Sequence, residues 1–135
     1  MNKTLEGKRI LLVDDDPDIV ASIDAAFEPT GAIVETAANG NRAVELCERN
    51  VPDLMILDMM LPGRSGFLVL EKVKARKPPG SKPIVIMITG NPGARHKDYA
   101  QSLGVAAYFN KPVKMEKLVA SAEQLLAAAP PAQPT

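Results

Sequence analysis

The chain is 135 residues long, one domain's worth, with 16 basic and 16 acidic residues that cancel to zero formal charge. With 46% apolar and 24% charged residues it reads as an ordinary soluble globular protein, neither disordered, collagen-like nor disulfide-stapled. Zero net charge argues against general binding to nucleic acid or a membrane surface, the lone Cys47 closes no intramolecular bridge, and no apolar run exceeds five residues, so a cytoplasmic protein without spanning helix or signal-peptide core is expected.

Short aliphatic runs bounded by Gly, Pro, Asn or Asp predict buried parallel strands over 10–13, 33–37, 54–57, 84–88 and 106–109. Helix-period segments lie between them. Pro17 suits a first helical position after Asp16, and Ile19, Val20, Ile23, Ala26 and Phe27 form one apolar stripe that ends at Glu28-Pro29 before Gly31. Residues 42–49 put Ala43, Val44 and Cys47 on one face, which makes Cys47 small core filling. Phe67, Leu70 and Val73 mark a third helix ending near Pro78-Pro79-Gly80. The basic residues Lys72, Lys74, Arg76, Lys77 and Lys82 read as a solvated helix end. The fourth helix, from about Pro92 to Leu103, is polar on most faces; with only Ala100 and Leu103 as core candidates it should be the least firmly anchored. The fifth has the clearest stripe, Met115, Leu118, Val119, Ala122, Leu125 and Leu126, although Val113 is a poor cap and Lys114 opposes the helix dipole.

Strands alternating with helices of this length imply an α/β fold, a doubly wound five-stranded parallel sheet joined by right-handed crossovers. In such sheets ligands bind beyond the carboxyl ends of the strands, where strand order reverses. The first strand ends in Asp14-Asp15-Asp16, the third in Asp58, the fourth in Thr89, and the fifth in Asn110 and Lys111, whereas the second ends without an ionisable group. An order of 2-1-3-4-5 makes strand two an edge and brings the other ends into one cleft. Asp14, Asp15 and Asp58 packed together without compensation would raise one another's pKa, so a positive partner is expected there. An oxygen-only donor set with no His or Cys nearby suits Mg²⁺, with Mn²⁺ as the alternative, better than Zn²⁺. Asp16 and Asp18 read as helix-capping acids.

Competing motifs fail on residue identity. A calcium loop opening at Asp14, Asp16 and Asp18 meets Ile19 where glycine is needed and Ala25 where glutamate is needed. Neither a P-loop nor a dinucleotide-binding glycine motif is present. His96, the single histidine, lies between Arg95 and Lys97 on a polar helix and reads as solvent-facing, which removes His-based triads and a phosphohistidine carrier.

Four segments, Ile-Leu-Leu-Val-Asp-Asp-Asp at 10–16, Pro-Asp-Leu-Met-Ile-Leu-Asp-Met-Met-Leu-Pro-Gly at 52–63, Ile-Val-Ile-Met-Ile-Thr-Gly at 84–90 and Tyr-Phe-Asn-Lys-Pro at 108–112, resemble the receiver domain of two-component response regulators. The resemblance spans 8–127, leaving 128–135 as an Ala/Pro-rich tail or linker start. It implies the flavodoxin-like (βα)5 fold and a phosphoacceptor role for Asp58. It implies direct Mg²⁺ ligation by Asp15, Asp58 and the backbone carbonyl of Met60, and a water-mediated role for Asp14. Lys111 and Thr89 would contact the phosphoryl oxygens, and Tyr108 would be the switch aromatic. Gly90 would leave the acid accessible, while Met60 and Asn91 would tune phosphoryl lifetime; the Lys111-Pro112 bond is cis in the family. The implied partners are a sensor histidine kinase or phosphotransfer protein and an effector on the helix 4–strand 5–helix 5 face. No direct contact with nucleic acid or membrane is implied, and the resting state is a monomer with dimerisation on phosphorylation open. The domain would be free-standing or part of a longer regulator, a signalling module that catalyses its own phosphorylation and dephosphorylation.

Two other readings use the same acids. A haloacid-dehalogenase-like phosphohydrolase would take Asp14 as nucleophile and Asp16 as general acid, but Asp18 stands where Thr or Val is expected, and only isolated Asp98, Glu116 and Glu123 follow the fourth strand. A receiver-like scaffold that never gains phosphate would not need the full set of site residues.

Overall fold

The computed structural model describes residues 3–75, 77, 78, 81–90 and 94–128. Five strands, β1 (Arg9–Val13), β2 (Ile33–Ala37), β3 (Leu54–Asp58), β4 (Ile84–Thr89) and β5 (Ala107–Asn110), alternate with five helices, α1 (Pro17–Phe27), α2 (Gly40–Arg49), α3 (Gly66–Lys74), α4 (Ala94–Ser102) and α5 (Met115–Ala128). All strand pairs are parallel and the order is β2-β1-β3-β4-β5. The expected α/β class, strand order and doubly wound topology are therefore present.

Alternate strand residues serve opposite faces, as the two-residue period of a strand requires. Leu11, Val13, Met55, Leu57, Val85 and Met87 pack under α2, α3 and α4 with Ala43, Val44, Cys47, Val69, Leu70 and Ala100. Ile10, Leu12, Leu54, Ile56, Ile86 and Ile88 pack under α1 and α5 with Ile23, Phe27, Leu118, Ala122 and Leu126. Every residue of β3 is buried, which is why that strand reads as an unbroken apolar run ending in a carboxylate. Cys47 is buried in the first cluster, and burial raises its thiol pKa, so it is core filling as expected.

The helix boundaries follow from caps. Asp16 caps α1 by accepting from the Asp18 N–H, and Pro17 opens the helix. The second helix begins at Gly40 rather than 42, because Asn39 accepts from the Arg42 N–H at 2.8 Å and draws Gly40 and Asn41 into the first turn. Ser65 caps α3, which ends at Lys74, ahead of the Pro-Pro-Gly segment; Pro79 and Gly80 of that breaker, Pro92 at the expected start of α4, and the tail from 129 onward lie outside the described residues.

Two expectations need correction. His96 does not simply face solvent: its ring stacks on Phe67 of α3 with centroids 6.0 Å apart, and its Nδ1 is buried. Lys74 is not a free surface charge either. Its ammonium donates to the carbonyls of Ser81 and Pro83, both at 3.0 Å, and desolvation followed by repulsion from Lys77 lowers its pKa. In both cases a partner from another segment claims a side chain whose own polarity reads as solvent-facing.

Candidate phosphoacceptor and metal site

The carboxyl ends of β1, β3, β4 and β5 bring Asp14, Asp15, Asp58, Thr89 and Lys111 to one end of the sheet. Parallel pairing sets this directly. Asp58 stands opposite Ile88 in the β3–β4 register and Thr89 opposite Asn110 in the β4–β5 register, with Lys111 one residue beyond. The Lys111 N–H donates to the Thr89 carbonyl at 2.7 Å, so the strand pairing continues to the lysine. The Lys111-Pro112 bond is cis, as is Lys82-Pro83.

Asp14 and Asp58 are buried and Asp15 is exposed; each offers a carboxylate oxygen within 4.8 Å of the other two, an arrangement that could hold a metal ion. Lys111 Nζ lies 3.1 Å from Asp14 Oδ2 and 3.5 Å from Asp58 Oδ2. Asp14 Oδ1 accepts from the Asp16 N–H at 2.9 Å, and Asp58 Oδ1 accepts from the Met60 N–H at 3.3 Å. Asp14 Oδ2 is buried and accepts no well-aligned hydrogen bond among the described residues, and the Lys111 ammonium lies 3.1 Å from it.

The electrostatics are those of a crowded acid site. Burial, and next the charge of Asp14, push the Asp58 pKa above the usual aspartate value, while Lys111 and the Met60 amide oppose the rise. Partial burial works against the Lys111 ammonium, but attraction to Asp14 and Asp58 outweighs it and the net shift is upward. The same contact thus favours the charged form of Lys111, while burial and Asp14 disfavour the charged form of Asp58.

The remaining expected residues surround this centre. Thr89 is fully buried at the end of β4. Gly90 is exposed, and a Cβ built there meets nothing within 4 Å among the described residues. Met60 is 62% exposed beside the acid. Tyr108 is half-buried against the α3–α4 side of the core, with burial raising its pKa, and its buried hydroxyl has no hydrogen-bond partner among the described residues. Asn91 lies outside the described residues.

One residue at the site was passed over in the sequence. Gly66 opens α3, and a Cβ there would sit 2.7 Å from Met59 Cα and collide with the Asp58 carbonyl, so only glycine lets the helix begin against the backbone of the acid. A glycine at a helix start, straight after a serine cap, is the signal that could have found it.

An open parallel sheet in the order β2-β1-β3-β4-β5, with an acidic cluster and a lysine beyond the carboxyl ends of its strands, defines an α/β protein of the flavodoxin-like class with its ligand site at the reversal point. The chain belongs to the response regulator receiver domains: the family model of that description matches residues 10–123. An uncharacterized 14.6 kDa protein from the sodA1 3' region of Leptolyngbya boryana is 33% identical over 129 residues, covering 96% of this chain and 98% of its own. The Regulator of RpoS of Escherichia coli K12 is 35% identical over 114 residues, covering 84% of this chain but only 33% of that longer protein. Among solved structures, a CheY-like receiver domain protein from Methanospirillum hungatei JF-1 superposes with a TM-score of 0.81 at 32% identity, covering 89% of this chain and 94% of that one. The receiver domain of the sensor histidine kinase PA1611 from Pseudomonas aeruginosa, solved with a magnesium ion coordinated in its active-site cleft, superposes with a TM-score of 0.79 at 27% identity, covering 90% and 99%. Among the described residues no helix is long and apolar enough to cross a membrane.

Proposed function

We propose that this chain accepts a phosphoryl group on Asp58 from a phosphohistidine of a sensor histidine kinase or phosphotransfer protein, in a Mg²⁺-dependent reaction, and that the phosphorylated domain changes its binding partners. The observation that carries this reading is the placement of one ammonium, Lys111 Nζ, between Asp14 and Asp58, with a third carboxylate alongside. Phosphoryl transfer needs little covalent chemistry from the protein and much positioning and charge neutralisation.

The donor set fits a hard divalent cation, being all oxygen, with Asp14 Oδ2 left without an aligned donor and Asp15 open to water. Asp15, Asp58 and the Met60 carbonyl would hold the ion directly and Asp14 through water. When bound, Mg²⁺ supplies positive charge against the phosphoryl oxygens. An oxygen of the Asp58 carboxylate forms the new O–P bond while the P–N bond to the partner's imidazole breaks. The imidazole keeps the electron pair and takes a proton from solvent. Lys111 turns from its carboxylates to the phosphoryl oxygens, Thr89 contributes a hydroxyl, and Gly90 leaves the line of approach open.

Two charge-assisted hydrogen bonds of about 1.5–3 kcal/mol each, from Thr89 and Lys111, would together supply about 3–6 kcal/mol, comparable with the ~5.5 kcal/mol that resets a two-state balance from 1:99 to 99:1. The moving parts in this reading are Tyr108 and α4, and the output face is α4, β5 and α5. In this reading the receiver unit spans 8–127, works in the cytoplasm, is monomeric at rest and takes no direct hold on nucleic acid or membrane.

Fluorine NMR of beryllofluoride, a phosphoryl mimic, tests the assignment. Bound signal is expected in the wild type with Mg²⁺ and not in Asp58→Asn. Signal kept in Asp58→Asn and lost in Asp14→Asn would sink this reading and favour the dehalogenase-like one.

A further inference from the structure

The loop between Asp58 and Gly66 is held at both ends by close backbone contacts. At the near end the Met59 N–H donates to the Ile88 carbonyl at 3.0 Å and the Gly66 N–H to the Met59 carbonyl at 2.8 Å. At the far end the holder is the N-terminus of α2, which carries no group expected at the site. The Gly40 N–H donates to the Pro62 carbonyl at 3.2 Å, and Arg64 Nε donates to Asn41 Oδ1 at 3.1 Å. A Cβ on Gly40 would collide with the Arg64 carbonyl and sit 2.6 Å from Arg64 Cβ. Gly63, at φ 80°, faces the Asn41 amide, whose Nδ2 would lie 3.2 Å from a Cβ on that glycine. Met60 lies between the two anchors.

We propose that Gly40 and Asn41 are positioning residues for the divalent cation: by fixing Pro62–Arg64 they set where the Met60 carbonyl, two residues before Pro62, points. This rests on the phosphoacceptor reading above, which supplies the cation. Among the described residues their hydrogen bonds go to Pro62 and Arg64, not to a carboxylate of the site. Both are also poor helix formers in the first turn of α2, where alanine would favour the helix itself. Helix stability and cation affinity should therefore move in opposite directions at Asn41, a split that a merely structural role would not produce.

The test is Mg²⁺ binding to the full chain by isothermal titration calorimetry, paired with thermal melts without metal. Asn41→Ala is expected to weaken Mg²⁺ about tenfold, the lower end for loss of a group that orients a metal ligand, with a melting temperature unchanged or higher. Gly40→Ala should weaken it further where it folds. Leu126→Ala, a buried change in the core layer on the opposite face of the sheet, should lower the melting temperature and leave affinity alone. Wild-type affinity in Asn41→Ala overturns the inference, as does an equal loss of affinity in Leu126→Ala. A wild type that binds no Mg²⁺ overturns the phosphoacceptor reading itself, and this inference with it.

Discussion

Lys111 sits between two acids that would otherwise repel, so the two halves of this contact predict opposite stability effects. Lys111→Ala leaves Asp14 and Asp58 unanswered and should destabilise by about 1–3 kcal/mol, below the ~3–5 of a fully buried pair because Lys111 keeps some of its surface in water. Asp58→Asn removes the repulsion with Asp14 and should stabilise the metal-free protein by about 0.5–2 kcal/mol, the usual gain when a strained site charge is neutralised. Urea melts of the two variants check both signs. Met60 bears on lifetime: an apolar, exposed side chain offers no hydrogen bond to orient an attacking water, so slow self-dephosphorylation is expected and Met60→Asn should hasten it. Phosphoryl decay followed for both proteins checks this; wild-type decay within seconds would refute it. The acids, Thr89 and Lys111 were legible because each ends a strand whose apolar run is unmistakable. Gly40, Asn41 and Gly66 were not, because their part is a backbone approach between segments distant in sequence.

At the scale of elements, α4 is the informative case. Its own sequence gives it little core, and Ala100 is its one fully buried side chain among the described residues. What holds it is an aromatic contact with α3 that periodicity could not reveal. Phe67 stacks on His96 and meets Tyr99 edge-on at 5.0 Å, while the Tyr99 hydroxyl donates to Glu71. The weak anchoring read from the sequence is thus right about the core and incomplete about the attachment. Phe67→Ala should cost about 1–3 kcal/mol, less than a fully buried phenylalanine because Phe67 is only half-buried. Hydrogen exchange should show the loss confined to α4 and its flanks, with β3 and β4 amides protected as before; uniform loss across the sheet would contradict a local attachment.

For the whole molecule, zero net charge conceals a polar arrangement along the sheet. The acidic site occupies the carboxyl end, while at the amino end Asp53 accepts from the Arg9 N–H at 2.8 Å and pairs with Lys82 Nζ at 3.0 Å. Burial alone would raise the Asp53 pKa, but the Arg9 amide and Lys82 more than offset it and the net shift is downward. An acid whose folded-state pKa lies below its unfolded one adds stability that is complete above the unfolded value and is lost as pH falls through the folded one. Asp53 should therefore give up its share of stability as pH falls below about 5, and Asp53→Asn should make the urea midpoint fall less between about pH 6 and about pH 3 than it does in the wild type; an unchanged difference would contradict this role of Asp53. Strand order, both core faces and the end of the sheet that carries the site followed from alternation and strand-end residues. The side-chain ties of Lys74, His96 and Asp53 did not, since each joins segments that sequence spacing leaves unrelated.

The central claim is that Asp58 takes the phosphoryl group. The most direct measurement is to treat the protein with acetyl phosphate and Mg²⁺, trap the acyl phosphate by borohydride reduction, and map the reduced residue by peptide mass spectrometry. Reduction at Asp58, dependent on Mg²⁺ and absent from Asp58→Asn, is the predicted result; label at Asp14 or Asp15, or none at any aspartate, would contradict it.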